Sequence, residues 1–305
     1  MNKFFSSKYP IMCAIMNEVS DLNLALAVRD AGAFPSLHID NPFYKDTDSV
    51  IKPETLRSSL DHFQNQDGVT NIVLGISPYD LLNINFVKII KNYRVSHLEL
   101  VRGEVDVPVF ESQIWKDPMV QLIVRGIKST TKIILRINTP NANILSDGLA
   151  LKGSDSAGFS GKISVIDLFN QQRAITLTSN LIPYGGIGTP DQVTYYIESG
   201  AAAVAVGTLL AASKESCLSE KTKLAMCKAS SHQITNFTNT NQNALILGNH
   251  TATINDTSDW NRSDSYHLGL QKGDQGHVYA GKGIDYIKDI LSVKEIIQYL
   301  ASQLK

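Results

Sequence analysis

Cysteine is scarce in this sequence: Cys13, Cys217 and Cys227 are the only 3 among 305 residues, and no two stand at a CxxC spacing. That excludes a disulfide framework and a zinc ribbon as organising devices, and the odd thiol count fits a reducing compartment. A long hydrophobic run is also missing. The longest, Ala201–Ala212 (AAAVAVGTLLAA), is too short to cross a bilayer. The amino-terminal MNKFFSSKYPIMCAIM has no continuous apolar core of the secretory kind. Charge of one sign is lacking as well. Lys and Arg total 28 against 29 Asp and Glu, a formal net charge of −1, where a nucleic-acid binder would carry a basic excess. The 7 histidines fall in no HExxH or paired ligand spacing, so no metal site is expected. These absences leave a cytoplasmic protein with neither a membrane nor a nucleic acid as partner, acting on a small molecule.

Apolar residues make up 43% and charged residues 19%, a globular balance with ample material for a core. Over the first 212 residues, short apolar runs alternate with helix-like segments. Pro10–Met16 reads as a buried strand, and Asp21–Ala31 as a helix with Leu22, Ala25, Leu26 and Val28 on one face and Gly32 as its stop. Phe34–Ile39 is the next strand and Pro53–Phe63 the next helix. Asn71–Ile76, Ser96–Val101, Lys132–Ile137, Gly148–Lys152, Leu181–Tyr184 and Ala202–Val206 continue the strand series. Strands rich in Val, Ile and Leu suit a parallel sheet buried on both faces. Their number, with helices between most, predicts an α/β fold: a (β/α)8 TIM barrel plus an appendage. A doubly wound open sheet is the competing architecture.

Residues 213–228 read as a helix. The stretch 229–266 then holds 18 Ser, Thr or Asn in 38 residues, which suits an excursion over the surface. Asp285–Leu304 reads as a helix with Ile287, Ile290, Leu291, Ile296, Ile297 and Leu300 on its apolar face. The expectation is one domain over 1–305, with 213–284 a partly irregular excursion and 285–304 a closing helix.

The most informative stretch is LIPYGGIGTPDQVTYYIESGAAAVAVGT, residues 181–208. It reads as a strand, a glycine-rich turn, a helix opened by Thr189 and Pro190, and a strand ending in Gly207 and Thr208. Glycines there let backbone N–H groups approach a phosphate, and a helix N-terminus adds positive dipole. In a (β/α)8 barrel the loops after strands seven and eight frequently build such a site. Two ordinary turns with a helix cap would use the same residue types.

YGGIGTPDQVTYYIESGAAAVAVGTLLAASKES resembles the corresponding stretch of the nitronate monooxygenase (2-nitropropane dioxygenase-like) family, which includes FMN-dependent enoyl-acyl-carrier-protein reductases. PIMCAIMNEVSDLNLALAVRDAGAFPSL is similar to that family's first strand and helix, LKGSDSAGFSG to its loop after strand six, and AGKGIDYIKDILSVKEIIQYL to its closing helix. The resemblance implies a barrel that binds FMN at its C-terminal face and acts as an oxidoreductase. Its substrate would be nitronate-like or an unsaturated acyl group, with an acyl carrier protein as partner in the second case. Carried over by position, Gly186, Gly207 and Thr208 would hold the FMN phosphate, and Val206 would also belong to the cofactor site. Lys152, Gly153, Ala157 and Gly158 would line the flavin, Ala14 and Met16 would approach its ring, and Gly75 stands where the family carries an asparagine.

The departures from the family are specific. The loop after strand six usually ends in A-G-G-H, with the histidine as catalytic acid or base, and this chain has Phe159 there. Cys13 and Lys152 replace two usual glutamines, and between Asn138 and Asp147 there is room for only a vestigial helix. Proton transfer then falls to Asp155, on the glycine-rich loop, or His38, at a predicted strand end. Asp155 is equally suited to capping the following turn. Arg136, near the end of its strand, suits an anionic ligand or a structural ion pair. A barrel that binds flavin without catalysis is the alternative from another class.

Overall fold

The computed structural model describes residues 4–38, 53–101, 113–142, 146–175, 180–237, 242–247 and 259–304. Eight parallel strands form one sheet: β1 (Ile11–Cys13), β2 (Ser36–His38), β3 (Thr70–Ile76), β4 (Val95–Leu100), β5 (Lys132–Ile137), β6 (Gly148–Lys152) and, beyond the short outlying β7 (Gly158–Phe159), β8 (Asn180–Tyr184) and β9 (Val204–Val206). Each of β2 to β5 pairs with the next. β6 then pairs with β8, β8 with β9, and β9 with β1. A parallel bridge between Met12 and Phe34 joins β1 to the chain entering β2, with Phe34 N–H donating to Ile11 O at 2.8 Å and Cys13 N–H to Phe34 O at 3.0 Å. The sheet thus closes into a (β/α)8 barrel, and the open-sheet alternative is set aside.

The helices of the barrel are α1 (Leu22–Asp30), α2 (Pro53–Asp61), α3 (Ile84–Asn92), α4 (Gln113–Lys116), α5 (Pro118–Ile127), α6 (Val165–Ile175), α7 (Pro190–Glu198) and α8 (Thr208–Ala211). Their starts follow from local chemistry. Asp21 caps α1 by accepting from Leu24 N–H, and Asp117 caps α5 ahead of Pro118. Thr189 and Gln192 form a capping box on α7. Gly32, with φ +85, turns the chain out of α1.

The strands sort their side chains to two cores. Met12, Phe34, Val73, Ile134, Ala150 and Ile182 fill the barrel interior, while the alternate residues, such as Leu74, Leu98, Leu135 and Leu149, pack outward under the helices. Each large aliphatic or aromatic side chain so buried contributes about 1.5–3 kcal/mol.

Within 213–284, expected as a partly irregular excursion, the described residues include regular elements. After α9 (Glu220–Lys228) the chain forms β10 (Ile234–Phe237), β11 (Gln242–Ile246), α10 (Asp259–Lys272) and β12 (His277–Tyr279). β11 pairs antiparallel with β10 on one edge and with β12 and β7 on the other, so the excursion is a small sheet that takes in the loop after β6. Three consecutive apolar residues, Ala244, Leu245 and Ile246, follow Gln242 and Asn243 in β11. The two expected helices are also shorter than predicted. The helix over 213–228 begins at Glu220, where Ser219 caps it. The closing helix α11 covers Val293–Leu300, capped by Ser292 and Glu295, and Lys282–Tyr286 is a 3-10 turn. Among the described residues no helix is long and apolar enough to cross a membrane.

Candidate functional site

The C-terminal ends of β1, β5, β6, β8 and β9 surround one cavity, which the excursion sheet roofs. Ala14 and Met16 come to it from the end of β1, Lys152 from β6, and Ala157, Gly158 and Phe159 from the loop and β7 beyond. Gly186 follows β8, and Gly207 and Thr208 follow β9. Gln242, Tyr266, Val278 and Tyr279 close it from above. The roof is tied down on the β1 side. Tyr266 Oη donates to Asn17 O at 2.6 Å, and His267 Nδ1 lies 3.2 Å from Glu18 Oε2.

The glycine-rich wall has a backbone rationale. Gly186 adopts φ +69, a conformation that disfavours any side chain. Gly207 stands at the N-cap of α8 with no side-chain cap, unlike the starts of α1, α5, α7, α9 and α11. The first N–H groups of a helix lack intrahelical acceptors, so they remain available there. A Cβ at Gly207 would stand 3.3 Å from Ala14 Cβ and 3.5 Å from Met16 Sδ, so a larger side chain would fill the space next to β1. Thr208 Oγ1 accepts from Gly281 N–H at 3.2 Å, which joins this wall to the segment after β12.

Beneath the cavity lies a buried charged layer. Glu99 on β4 is fully buried, and Arg136 on β5 brings Nε and Nη2 each to 2.6 Å from its Oε1. Tyr184 on β8 donates its hydroxyl to Glu99 Oε2. Burial raises the Tyr184 hydroxyl well above its ordinary range, and Glu99 adds to this. Burial works against the Arg136 charge, but Glu99 and Tyr184 outweigh it and hold the guanidinium more firmly protonated than usual. Lys152 Nζ donates to Ala157 O at 2.8 Å. Burial, with Arg136 nearby, depresses its ammonium well below the usual lysine range.

Other sequence candidates stand elsewhere. Asp155 is not part of the cavity wall: its Oδ2 accepts from Val165 N–H at 2.9 Å at the start of α6, and its Oδ1 is 2.6 Å from Lys282 Nζ. The capping role weighed from sequence is the one its geometry displays. His38 ends β2, beside Gly75 of β3 in register, and is likewise outside the wall. Gly75 packs under Ile15, whose Cγ2 would be 2.4 Å from an added Cβ, and Gly153 packs on the Val165 backbone. Val206 is buried in the outer core beneath the helices. Cys13 is fully buried, and burial pushes its thiol up to about 11, which suits a core residue. No helix occurs in the described part of 138–147, residues 143–145 lying outside it.

Glu99 was not anticipated from sequence. A signal existed in β4, VSHLEL, where His97 and Glu99 alternate with Leu98 and Leu100. In a strand covered on both faces, two polar residues at i and i+2 mark the face that looks into the barrel.

The profile of the family described as Nitronate monooxygenase matches residues 61–303. No curated protein matches the chain. Among solved structures it resembles FabK from Thermotoga maritima, at 20% identity and TM-score 0.78, over 98% of this chain and 93% of that one. It also resembles nitroalkane oxidase from Streptomyces ansochromogenes, at 17% identity and TM-score 0.73, over 98% and 96%. The enoyl reductase domain of MlnA, from the macrolactin biosynthesis cluster of Bacillus amyloliquefaciens, superposes at 10% identity and TM-score 0.68, over 98% and 94%. At such identities the likeness is one of fold.

Proposed function

The chain belongs to the nitronate monooxygenase family, and from that premise we propose that it is an FMN-dependent oxidoreductase that takes a carbon acid already in its anionic, nitronate-like form. The observation that carries this reading is the composition of the cavity wall. It joins a glycine-lined, uncapped helix start to buried cations, and among the described lining residues there is no Asp, Glu or His.

The residues present fit the cofactor. Gly186, Gly207 and Thr208 would hold its phosphate, since backbone N–H groups at a helix start are a ready anion site. Ala14, Ala157 and Ala205 offer small apolar walls suited to a flat ring system. When bound, FMN supplies the electron-accepting chemistry that protein side chains lack.

The chain's own residues bind and orient. Phe159 puts an apolar ring where the family's histidine is expected, and it lines the cavity together with Tyr266 and Tyr279. These rings exclude water from the substrate, and Lys152 with Arg136 offers positive charge to an anion. A neutral nitroalkane needs its carbon ionised first, and a positioned base typically contributes about 10²–10⁴-fold to such a step. The wild type should therefore turn over a nitronate about 10²–10⁴-fold better than its neutral parent, with Phe159→His narrowing the gap. The test is the visible spectrum of the purified protein, followed by both assays. A protein that neither retains nor takes up FMN, or equal turnover of the two forms, defeats the proposal.

A further inference from the structure

Lys152 is the buried basic side chain of this site that, among the described residues, no carboxylate contacts directly. Its neighbours divide the available charge among themselves. Glu99 spends both carboxylate oxygens, one on Arg136 and the other on Tyr184. Asp155, three residues along the chain, is committed to Lys282 and to Val165 N–H. Cys13 on β1 is a buried thiol whose acidity burial has weakened, and Tyr184, Tyr266 and Tyr279 present neutral rings. The partner that remains to Lys152 is a neutral acceptor, Ala157 O. An ammonium has three donors to place. A fully charged ammonium with one of its three donors placed would be costly, and Lys152 lines the cavity.

We propose that Lys152 is a proton-coupled anion receptor: a neutral amine when the cavity holds no anion, and an ammonium once a small delocalised oxyanion such as a nitronate or carboxylate enters. The balance is simple. The amine takes one proton from solvent, no covalent bond to carbon or nitrogen of the ligand forms, and the two ammonium N–H groups not given to Ala157 O make charge-assisted hydrogen bonds to the anion. This rests on the reading of the cavity as the substrate site. It goes beyond that reading by assigning the residue that selects for negative charge and by linking binding to pH. The depressed basicity of Lys152 supports it, since burial and then Arg136 oppose the charge and together outweigh the support that Glu99 gives it.

The experiment titrates nitrate into the protein as purified, by calorimetry at pH 8 in two buffers of different ionisation enthalpy. Wild type should take up about one proton per nitrate bound, because the anion moves the amine's protonation across the working pH. Uptake should fade on acidification, where the amine already carries its proton. Lys152→Gln should bind nitrate roughly 10-fold or more weakly and take up no proton, the loss expected for a charged hydrogen bond. Lys152→Arg, charged at every pH, should bind without uptake, which a merely structural lysine would not produce. Nitrate binding with the flavin spectrum retained marks a substrate oxyanion as the partner. Uptake that depends on Lys152 but appears only when FMN is added to the apoprotein marks the cofactor phosphate instead. Nitrate binding with no proton uptake in the wild type, or unchanged uptake in Lys152→Gln, overturns the proposal. A colourless protein that still couples nitrate to a proton through Lys152 would refute the flavin reading and leave this one standing.

Discussion

The two ends of the barrel use the same strands to opposite ends. At the N-terminal end Phe4 and Phe5 plug the interior against Phe34 and His97, with Phe5 and Phe34 ring centroids 4.6 Å apart. The polar groups there are matched: Phe4 O accepts from both Lys132 Nζ at 2.7 Å and His97 Nε2 at 3.0 Å. At the C-terminal end Glu99, two residues beyond His97 on β4, and Arg136, four beyond Lys132 on β5, stand under a cavity with a glycine-lined wall and a buried lysine. Two residues along β4 separate a closed, self-satisfied plug from the charged layer beneath the cavity. Conflict concentrates where a ligand is meant to complete the structure, and barrels keep that end for function and the other for stability.

The strongest test of this contrast is Gly207→Leu. A leucine there would crowd Ala14 and Met16 and block the helix start, so we expect a folded protein without bound flavin, read as the ratio of visible to ultraviolet absorbance. Stoichiometric flavin in that variant would remove the α8 terminus from the site. At the opposite end Phe5→Ala should destabilise the fold by about 3–5 kcal/mol in urea titration and leave flavin binding alone below the transition. A loss of flavin in step with stability would mean that the two ends are not separable.

His97 sharpens the comparison through pH. Burial, with Lys132 beside it, lowers its imidazole from 6.5 to about 3. The unfolded chain therefore takes a proton that the folded plug excludes. Stability from this group is full above about pH 6.5 and falls as pH drops toward 3. The loss amounts to a few kcal/mol at most, at about 1.4 kcal/mol per pH unit. His97→Gln, which can still donate to Phe4 O, should flatten that acid limb in chemical denaturation from pH 7 to pH 4 (approximate limits). The smallest effect is expected from Asp155→Ala. It removes a helix cap and an ion pair to a largely exposed lysine, together about 1 kcal/mol, and should leave turnover per flavin within about twofold. A hundredfold loss of turnover would return Asp155 to the chemistry.

Much of the barrel was legible in the chain. Lys132–Ile137 and Gly148–Lys152 stand where the apolar runs put them, and Thr189, Pro190 and Gln192 announce α7. β1 was read too long at both ends and β9 at its start, since each apolar run extends beyond the residues in regular pairing. β10 to β12 were missed for a different reason. They are short and sit among Ser, Thr and Asn, and β7, which pairs with β11, lies about 80 residues away along the chain.

Local chemistry therefore decided which segments became helix or strand: caps, glycine stops and apolar runs act over a few residues and are present in the unfolded chain. The tertiary structure decided which side chains share a space. Closure of β1 onto β9 and onto Phe34 brings Ala14 beside Gly207, and the register of β4, β5, β6 and β8 stacks Glu99, Arg136, Lys152 and Tyr184 into one buried layer. Desolvation exists only after that packing, so the altered basicity of Lys152 belongs to the fold and to no stretch of sequence.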